Sequence, residues 1–532
     1  MKSFFHNRRS VPTYALILGA VFLVAVFGRT YHFHDWLRMN ADQARDAALV
    51  SGVVSGGDPL PLLGPKAGGT DFKLGPAFYW FEIASAKVFG DSPDKMAYPD
   101  LLSSILAIPL LFVLLRRYFD IRIAGSLAAL YALSFYALKY SRFAWNPNST
   151  PFWTMLFLYA LLRVFDDREK RKYLWAIVAG IAVGIGVQLH TFLLAALPIV
   201  TILSFGYYGL RNRSLAKPFL VIVLVSLFCN VPQFIHEART GGENVKALFG
   251  GMKKKQETSK TYLDKVIRNG ECFTAANIQI VSSAYYDNDT CDIADAKQPY
   301  TLPIGLVGTI FFLGGIVLAA RGVRRETDPE KRRFLRLLPT YMGVLFLLIL
   351  PVAYEISLRY FLILAWMPFF FLGLWLEFLG ERFGHLGKEV VFAALAILFA
   401  TNGFMVWNYF SDLSGYGSKP DAAGFDIVYL GETEKMADYM VAEAGSAKTA
   451  YIGGNKTYLF KAQNALISLS AKDGLRLVPV GKNKDGMVMP TFSLVSTKAK
   501  KDYIAGLAKD PSVTVTSASF GRFTIVSAIP VR

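Results

Sequence analysis

Several kinds of catalytic machinery are missing from this chain. It has no glycine-rich loop ending in a Walker A lysine, no HExxH helix and no GxSxG turn. Phosphate-loop, zincin and α/β-hydrolase chemistry therefore find no support. Cysteine is scarce, three among 532 residues, and no CxxC spacing occurs, which argues against a thiolate zinc site. No small-x-small cleavage signal follows the first apolar stretch, Val11–Gly28; the bulky Tyr31, His32 and Phe33 come next. That stretch reads as a retained signal anchor rather than a removed leader. Internal repeats are absent, and the only biased tract is Lys253–Lys255. The middle thirds of the apolar runs carry almost no charge, and this argues against a transporter, which needs intramembrane ionisable or broken-helix sites.

What the chain does have is apolar length. It is 53% hydrophobic and 14% aromatic, with a mean hydropathy of +0.35, too apolar for a soluble enzyme of this size. After the first helix, spans are expected near 98–115, 121–140, 149–165, 173–190, 191–209, 218–236, 302–320, 336–353, 359–378 and 389–409. Every second connection is basic: Arg116, Arg117 and Arg122; Arg163, Arg168, Lys170, Arg171 and Lys172; Arg211, Arg213 and Lys217; Arg321 to Arg336; Arg382 and Lys388. The positive-inside rule then puts these loops and the N-terminus, with Lys2, Arg8 and Arg9, in the cytoplasm. The net charge of +17 is explained by those loops, so nucleic acid is not an expected partner. Leu74–Gly90 is aromatic but short, and it contains Glu82 and Lys87. It reads as an interfacial helix on the outer leaflet, because counting it as a span would invert every later loop.

The expected fold is a polytopic α-helical membrane protein of about eleven spans over 1–410, in a cytoplasmic (inner) membrane. An extracytoplasmic α/β domain follows over 411–532. Its signs are short β-like runs at Thr449–Ile452, Leu475–Val480, Phe492–Thr497, Val513–Ser517 and Phe523–Ser527, with a helical stretch at Glu432–Ala444. Two further outer regions are a first loop, 34–97, and a middle loop, 238–300. Cys272 and Cys291 share the middle loop. If it lies outside, a disulfide is the natural reading, with two free surface thiols as the alternative.

The residues that could do chemistry gather on the outer side. Asp42, Arg45 and Asp46 fall on one helical face at i, i+3 and i+4. A carboxylate beside an arginine stays ionised, as a base must begin; a solvated helix start would show the same spacing. Lys73 sits at the mouth of the aromatic stretch, where it suits a lipid phosphate or simply snorkels. Arg142, His190, Glu237 and Arg359 lie near outward helix ends, where each is either a membrane anchor or part of a site.

One membrane helix, an outer loop with an acidic motif, Lys73-Leu74-Gly75-Pro76 before aromatics, then Ser141-Arg142-Phe143-Ala144-Trp145-Asn146-Pro147: this order resembles the GT-C glycosyltransferases. The similarity is to the protein O-mannosyltransferases and the lipid A aminoarabinose transferases. It covers residues 1 to about 410, most strongly 11–195. The resemblance implies a GT-C fold and sugar transfer, with inversion, from a polyprenyl-phosphate donor to an acceptor hydroxyl of a lipid, glycan or protein at the outer face. Asp42 matches the family's first-loop acidic residue, with Asp46 as a second candidate because Gln43 stands where an acidic residue often follows. Lys73, Arg142, Arg359 and His190 would then meet the donor phosphate, and Arg45 and Glu237 the acceptor. No metal site and no cofactor are expected, since cations rather than carboxylates crowd the outer helix ends; a divalent cation held by Asp42 and Asp46 is the alternative. The competing functions are a flippase or transporter of a lipid-linked sugar and a non-catalytic glycolipid scaffold.

Overall fold

In the computed structural model, residues 11–209, 212–255, 260–284, 291, 301–415, 427–480 and 489–531 are described. Lys2, Arg8, Arg9 and Arg211 therefore lie outside the described residues, as do parts of the middle loop and of the tail.

Each of the eleven expected apolar segments is helical. Six helices are long and apolar enough to cross a membrane: Tyr98–Leu115, Lys172–Leu189, Thr191–Gly209, Pro303–Arg325, Pro329–Val352 and Gly384–Gly415. Two bent pairs, Arg213–Cys229 with Val231–Thr240 and Leu358–Leu364 with Met367–Arg382, raise the number to as many as eight. Shorter apolar helices cover Tyr14–Thr30, Ile121–Leu133 and Thr150–Phe165. The segment expected to run unbroken over 121–140 stops at Ser134. There the Ser134 hydroxyl caps the next turn, accepting from the Ala137 N–H, and it donates to the Ile280 carbonyl.

The basic connections meet at one end of the bundle. Arg117 pairs with Asp166 at 3.1 Å and Glu330 at 3.3 Å, Arg333 reaches Asp167 at 2.6 Å, and Arg168 also pairs with Glu330. Connections separated by more than 160 residues thus share one face, as alternate loops of an up-and-down bundle must.

The middle region is not the plain hydrophilic loop that composition suggests. It holds helices Val231–Thr240, Glu243–Lys255 and Tyr262–Ser282. The last opens with a reciprocal capping box between Thr261 and Asp264. It buries Cys272, Phe273, Ala276 and Ile280 in the main helical core. Those positions form one face, and polar residues on the other hide the pattern from a hydropathy average. Cys272 and Cys291 form a disulfide, with Cα atoms 4.5 Å apart.

The tail folds around a five-stranded sheet of order β2-β1-β3-β5-β4. Its strands are β1 (Thr449–Gly454), β2 (Arg476–Pro479), β3 (Thr491–Ser496), β4 (Val513–Phe520) and β5 (Phe523–Pro530). β2, β1 and β3 are parallel, and β5 with β4 adds an antiparallel hairpin. Ile452, Phe492, Leu494 and Ile525 pack with Met436, Met440 and Leu466 to form its own core. Helices Leu430–Ala444 and Lys456–Lys472 supply those partners.

The tail is bonded to the loop that follows the first helix. Met39 N–H donates to the Val428 carbonyl at 2.7 Å and Leu430 N–H to the Leu37 carbonyl at 2.8 Å, so Arg38 and Tyr429 form an antiparallel bridge. Val428 N–H also donates to the Asn40 side chain at 2.9 Å.

Candidate functional site

Two short helices of the first loop carry the acidic half of the site: α2 (Ala41–Val54) and α3 (Ala77–Phe89), which follow α1 (Val11–Thr30). Asn40 enters α2 in extended conformation, and Asp42 stands in its first turn, where a carboxylate is favoured by the helix dipole. One face of α2 is buried through Gln43, Ala44, Asp46, Ala47 and Val50. Asp42 and Arg45 therefore point outward while Asp46 points in. The Asp42 side chain is 65% exposed and that of Asp46 4%.

A continuous chain of charge-assisted hydrogen bonds joins them. Tyr79 of α3 donates to Asp46 Oδ1 at 2.7 Å. Arg45 donates to the same oxygen through Nε at 2.9 Å and Nη2 at 2.8 Å, and through Nη1 to Asp42 Oδ1 at 2.8 Å. Burial pushes the Asp46 carboxyl up to about 6, against the opposing pull of Arg45 and Tyr79. Burial opposes the charge on Arg45, but Asp46 and then Asp42 outweigh it and hold the guanidinium charged. Glu82, one turn beyond Tyr79, is buried with Oε2 unpartnered. Burial, then the charges of Asp46 and Asp100, raise it well above the usual carboxylate range.

The cationic half comes from distant segments. Lys73 is exposed on a tight hairpin in which Lys66 and Lys73 bridge. Asn244 locks the hairpin backbone, accepting from Lys73 N–H at 2.8 Å and donating to its carbonyl at 2.9 Å. His190 breaks the chain between two spans. Its Nδ1 accepts from Phe192 N–H at 3.2 Å, which leaves the proton on Nε2. Its ring meets Tyr360 edge to face at 5.9 Å, and the Arg359 guanidinium lies 5.8 Å from the Tyr360 centroid. Tyr360 also borders Gly68 of the hairpin. Lys73's hairpin, His190 and Arg359 thus share one neighbourhood.

Arg38 links the two halves, and sequence reasoning missed it. Burial lowers its guanidinium from the ordinary value; among its charged neighbours Arg359 adds to that and Asp42 opposes it. It therefore lies within electrostatic reach of both. Its guanidinium stacks on Phe143 at 5.0 Å.

One expectation needs correction. Arg142 is not placed to meet a phosphate. It is 1% exposed, and its guanidinium donates to the carbonyls of Gly28 at 2.9 Å, Arg29 at 3.0 Å and Tyr31 at 2.7 Å, with a longer bond to His32 at 3.4 Å. These are the orphan carbonyls at the C-terminal end of α1, which attract a buried cation. The rest of the segment braces helices too: Trp145 N–H donates to Asp100 at 2.9 Å and Asn146 to the Leu189 carbonyl at 2.7 Å. Glu237, expected to meet the acceptor, accepts from Val245 N–H at 3.2 Å through Oε2, while its Oε1 has no partner among the described residues. Among the described residues no group of three or more His, Cys, Asp or Glu is placed to hold a metal ion.

Comparison with known proteins bears on the fold that carries these residues. The family described as dolichyl-phosphate-mannose-protein mannosyltransferase matches residues 73–236. An undecaprenyl phosphate-α-4-amino-4-deoxy-L-arabinose arabinosyl transferase of Pseudomonas fluorescens is 32% identical over 159 residues, 29% of each chain. One from Pseudomonas paraeruginosa is 28% identical over 231 residues, 42% of this chain and 40% of the relative. The matched stretches thus span about a third of those relatives. The likeness in fold runs much further. Crystal structures of ArnT from Cupriavidus metallidurans align over 97% of this chain and 98% of theirs, at 14% identity, with TM-scores of 0.53 in the apo state and 0.52 bound to undecaprenyl phosphate. The chain shares the fold of these ArnT structures, and part of its sequence is similar to the aminoarabinose transferases. The archaeal oligosaccharyltransferase AglB from Archaeoglobus fulgidus, in complex with an inhibitory peptide and a dolichol-phosphate, also shares this fold, at a TM-score of 0.51 and 12% identity. That likeness covers 98% of this chain and 76% of AglB.

Proposed function

We propose that this protein transfers a sugar from a polyprenyl-phosphate donor to an acceptor hydroxyl at the extracytoplasmic face of a bacterial inner membrane. The observation that carries the reading is the position of Asp42. It is exposed, yet held from behind by Arg45 and a buried carboxylate, and Arg38 joins it electrostatically to Arg359. An ionised carboxylate beside a cationic cluster suits a base facing a leaving phosphate. The names of the relatives and of two structural neighbours, which carry undecaprenyl phosphate or dolichol-phosphate, support that donor class.

The acceptor oxygen attacks the anomeric carbon as the bond from that carbon to the phosphate oxygen breaks. The hydroxyl proton passes to Asp42, and polyprenyl phosphate leaves. Phosphate is already a good leaving group, so one base suffices, and attack opposite the departing bond inverts the centre. Arg359, Arg38, Lys73 and the His190 Nε2–H meet the charge that develops on the phosphate, without a divalent cation. The alternation of basic loops supports the outer face as the side of transfer.

Purified protein in proteoliposomes, given an undecaprenyl-phosphate-linked sugar and an acceptor lipid, should release undecaprenyl phosphate. Asp42→Asn should slow release by about 10³-fold, within the range of a lost general base. Wild-type turnover by Asp42→Asn would overturn the assignment.

A further inference from the structure

We infer that Tyr79 and Asp46 are positioning residues that fix the direction of the Asp42 carboxylate through Arg45. This rests on the reading of Asp42 as the base, and it takes Asp46 out of the reacting group and brings Tyr79 in.

The geometry runs one way, from a buried anchor to an exposed tip. Asp42 is exposed, and an isolated aspartate in a first helical turn samples several rotamers. Here a single guanidinium spans both carboxylates: two of its nitrogens are spent on Asp46 Oδ1, and a third reaches Asp42 Oδ1. Arg45 can aim Asp42 only if its own plane is held. Asp46 supplies that hold, and Tyr79 fixes Asp46 from a second helix. The four groups therefore tie the first turn of α2 to α3. A planar, multiply bonded arginine transmits orientation in a way a lysine could not.

The arrangement depends on Asp46 being ionised, because Arg45 and Tyr79 converge on the single Oδ1 and protonation at Oδ2 would remove the charge that holds the guanidinium there. Its charged surroundings come from every element packed on α2. On α2 itself they are Arg45 and Asp42, and on α3 Tyr79 and the buried Glu82. The turn Pro93–Met96 adds Asp94, which is paired with His34. Helix Lys456–Lys472 adds Lys472, which is paired with Asp91. The Tyr79 hydroxyl lowers the Asp46 carboxyl, against burial that raises it to about 6. Removing the hydroxyl raises it further. Asp46 is ionised above its value and protonated below, so turnover should fall as pH drops through about 6, and the fall should begin at higher pH in Tyr79→Phe.

The test is the pH dependence of kcat in proteoliposomes with the same donor. Tyr79→Phe should shift the acid limb upward by about half to one pH unit, with kcat converging toward wild type at alkaline pH and KM for the donor unchanged. Asp46→Asn should lower kcat by about 10- to 100-fold and remove the limb near pH 6 that wild type shows. A wild-type acid limb in Tyr79→Phe, or a normal kcat in Asp46→Asn, overturns the inference. Should Asp42→Asn be inactive while Tyr79→Phe keeps the wild-type limb, only the positioning role fails. Should Asp42→Asn remain active, the base assignment and this inference fail together.

Discussion

Arg45 and Arg142 both sit in segments that resemble the family's motifs, and the structure uses them in opposite ways. Arg45 lies at the surface, with two carboxylates sharing its guanidinium. Arg142 is fully enclosed, and backbone carbonyls at the end of α1 take up both Nη atoms. The contrast extends to Arg359, exposed beside Tyr360 and His190. An arginine near a helix end can thus be an exposed charge or a helix cap, and residue type does not distinguish them. Burial of the guanidinium and the identity of its acceptors do.

The sharpest way to break this comparison is to remove each arginine in turn. Arg359→Ala should lower kcat by about 10²- to 10³-fold, as loss of a positioned cation from a transition state does, with thermal stability unchanged. Arg142→Ala should behave differently, losing on the order of 3 kcal/mol of stability as several buried carbonyls are left without a donor. Thermal unfolding in detergent separates the two. A stable but inactive Arg142→Ala protein would restore Arg142 to the site. EDTA belongs to the same comparison. Turnover should survive chelation if the arginines meet the phosphate charge, and rescue of a chelated enzyme by Mg²⁺ or Mn²⁺ would make Asp42 and Asp46 metal ligands instead.

Smaller effects are expected where the outer regions are tied down. The Cys272–Cys291 bridge closes a segment of 19 residues, and its reduction should cost about 3 kcal/mol locally. Alkylation of non-reduced protein should leave Cys272 and Cys291 unmodified, and two freely labelled cysteines at these positions would refute the bridge.

The smallest effect concerns His34, which contacts Asp94 at 3.3 Å and Glu434 at 2.8 Å and so links the first loop to the tail. Burial works against its charge, but Glu434 and then Asp94 outweigh it and raise the imidazole above its ordinary 6.5. The contribution is fully present below that ordinary value and is lost as pH rises through the raised one. Proteolytic sensitivity of the tail should therefore increase modestly with pH in wild type. In His34→Gln that dependence should disappear.

Much of the architecture was readable before any coordinates. Runs of apolar residues long enough to span a bilayer can hardly be anything but helices, because an unpaired backbone in lipid is too costly. The alternating β-like runs of the tail gave strands whose observed ends differ by a few residues. Helix Lys456–Lys472 of that domain went unseen, as did Tyr262–Ser282, whose polar face dilutes its apolar one. Within the site, Asp42, Arg45 and Asp46 were visible as a helical face. Tyr79 was not, because it reads as one more aromatic in a run of them, and neither Asn244 nor Arg38 carries a local signal.

By itself the sequence determined the membrane class, the alternation of loops and the acidic face of α2, since hydrophobic length, charge bias and helical spacing are local properties of the chain. Tertiary structure decided which of those charges remain available. It sealed Arg142 onto the end of α1, turned Asp46 inward to hold Arg45, and brought Lys73, His190 and Arg359 together from segments far apart in the chain. The reason is physical: whether an ion faces outward or serves as a cap depends on which donors and acceptors its side chain meets after folding, and for Arg142 those partners lie over a hundred residues away in the chain.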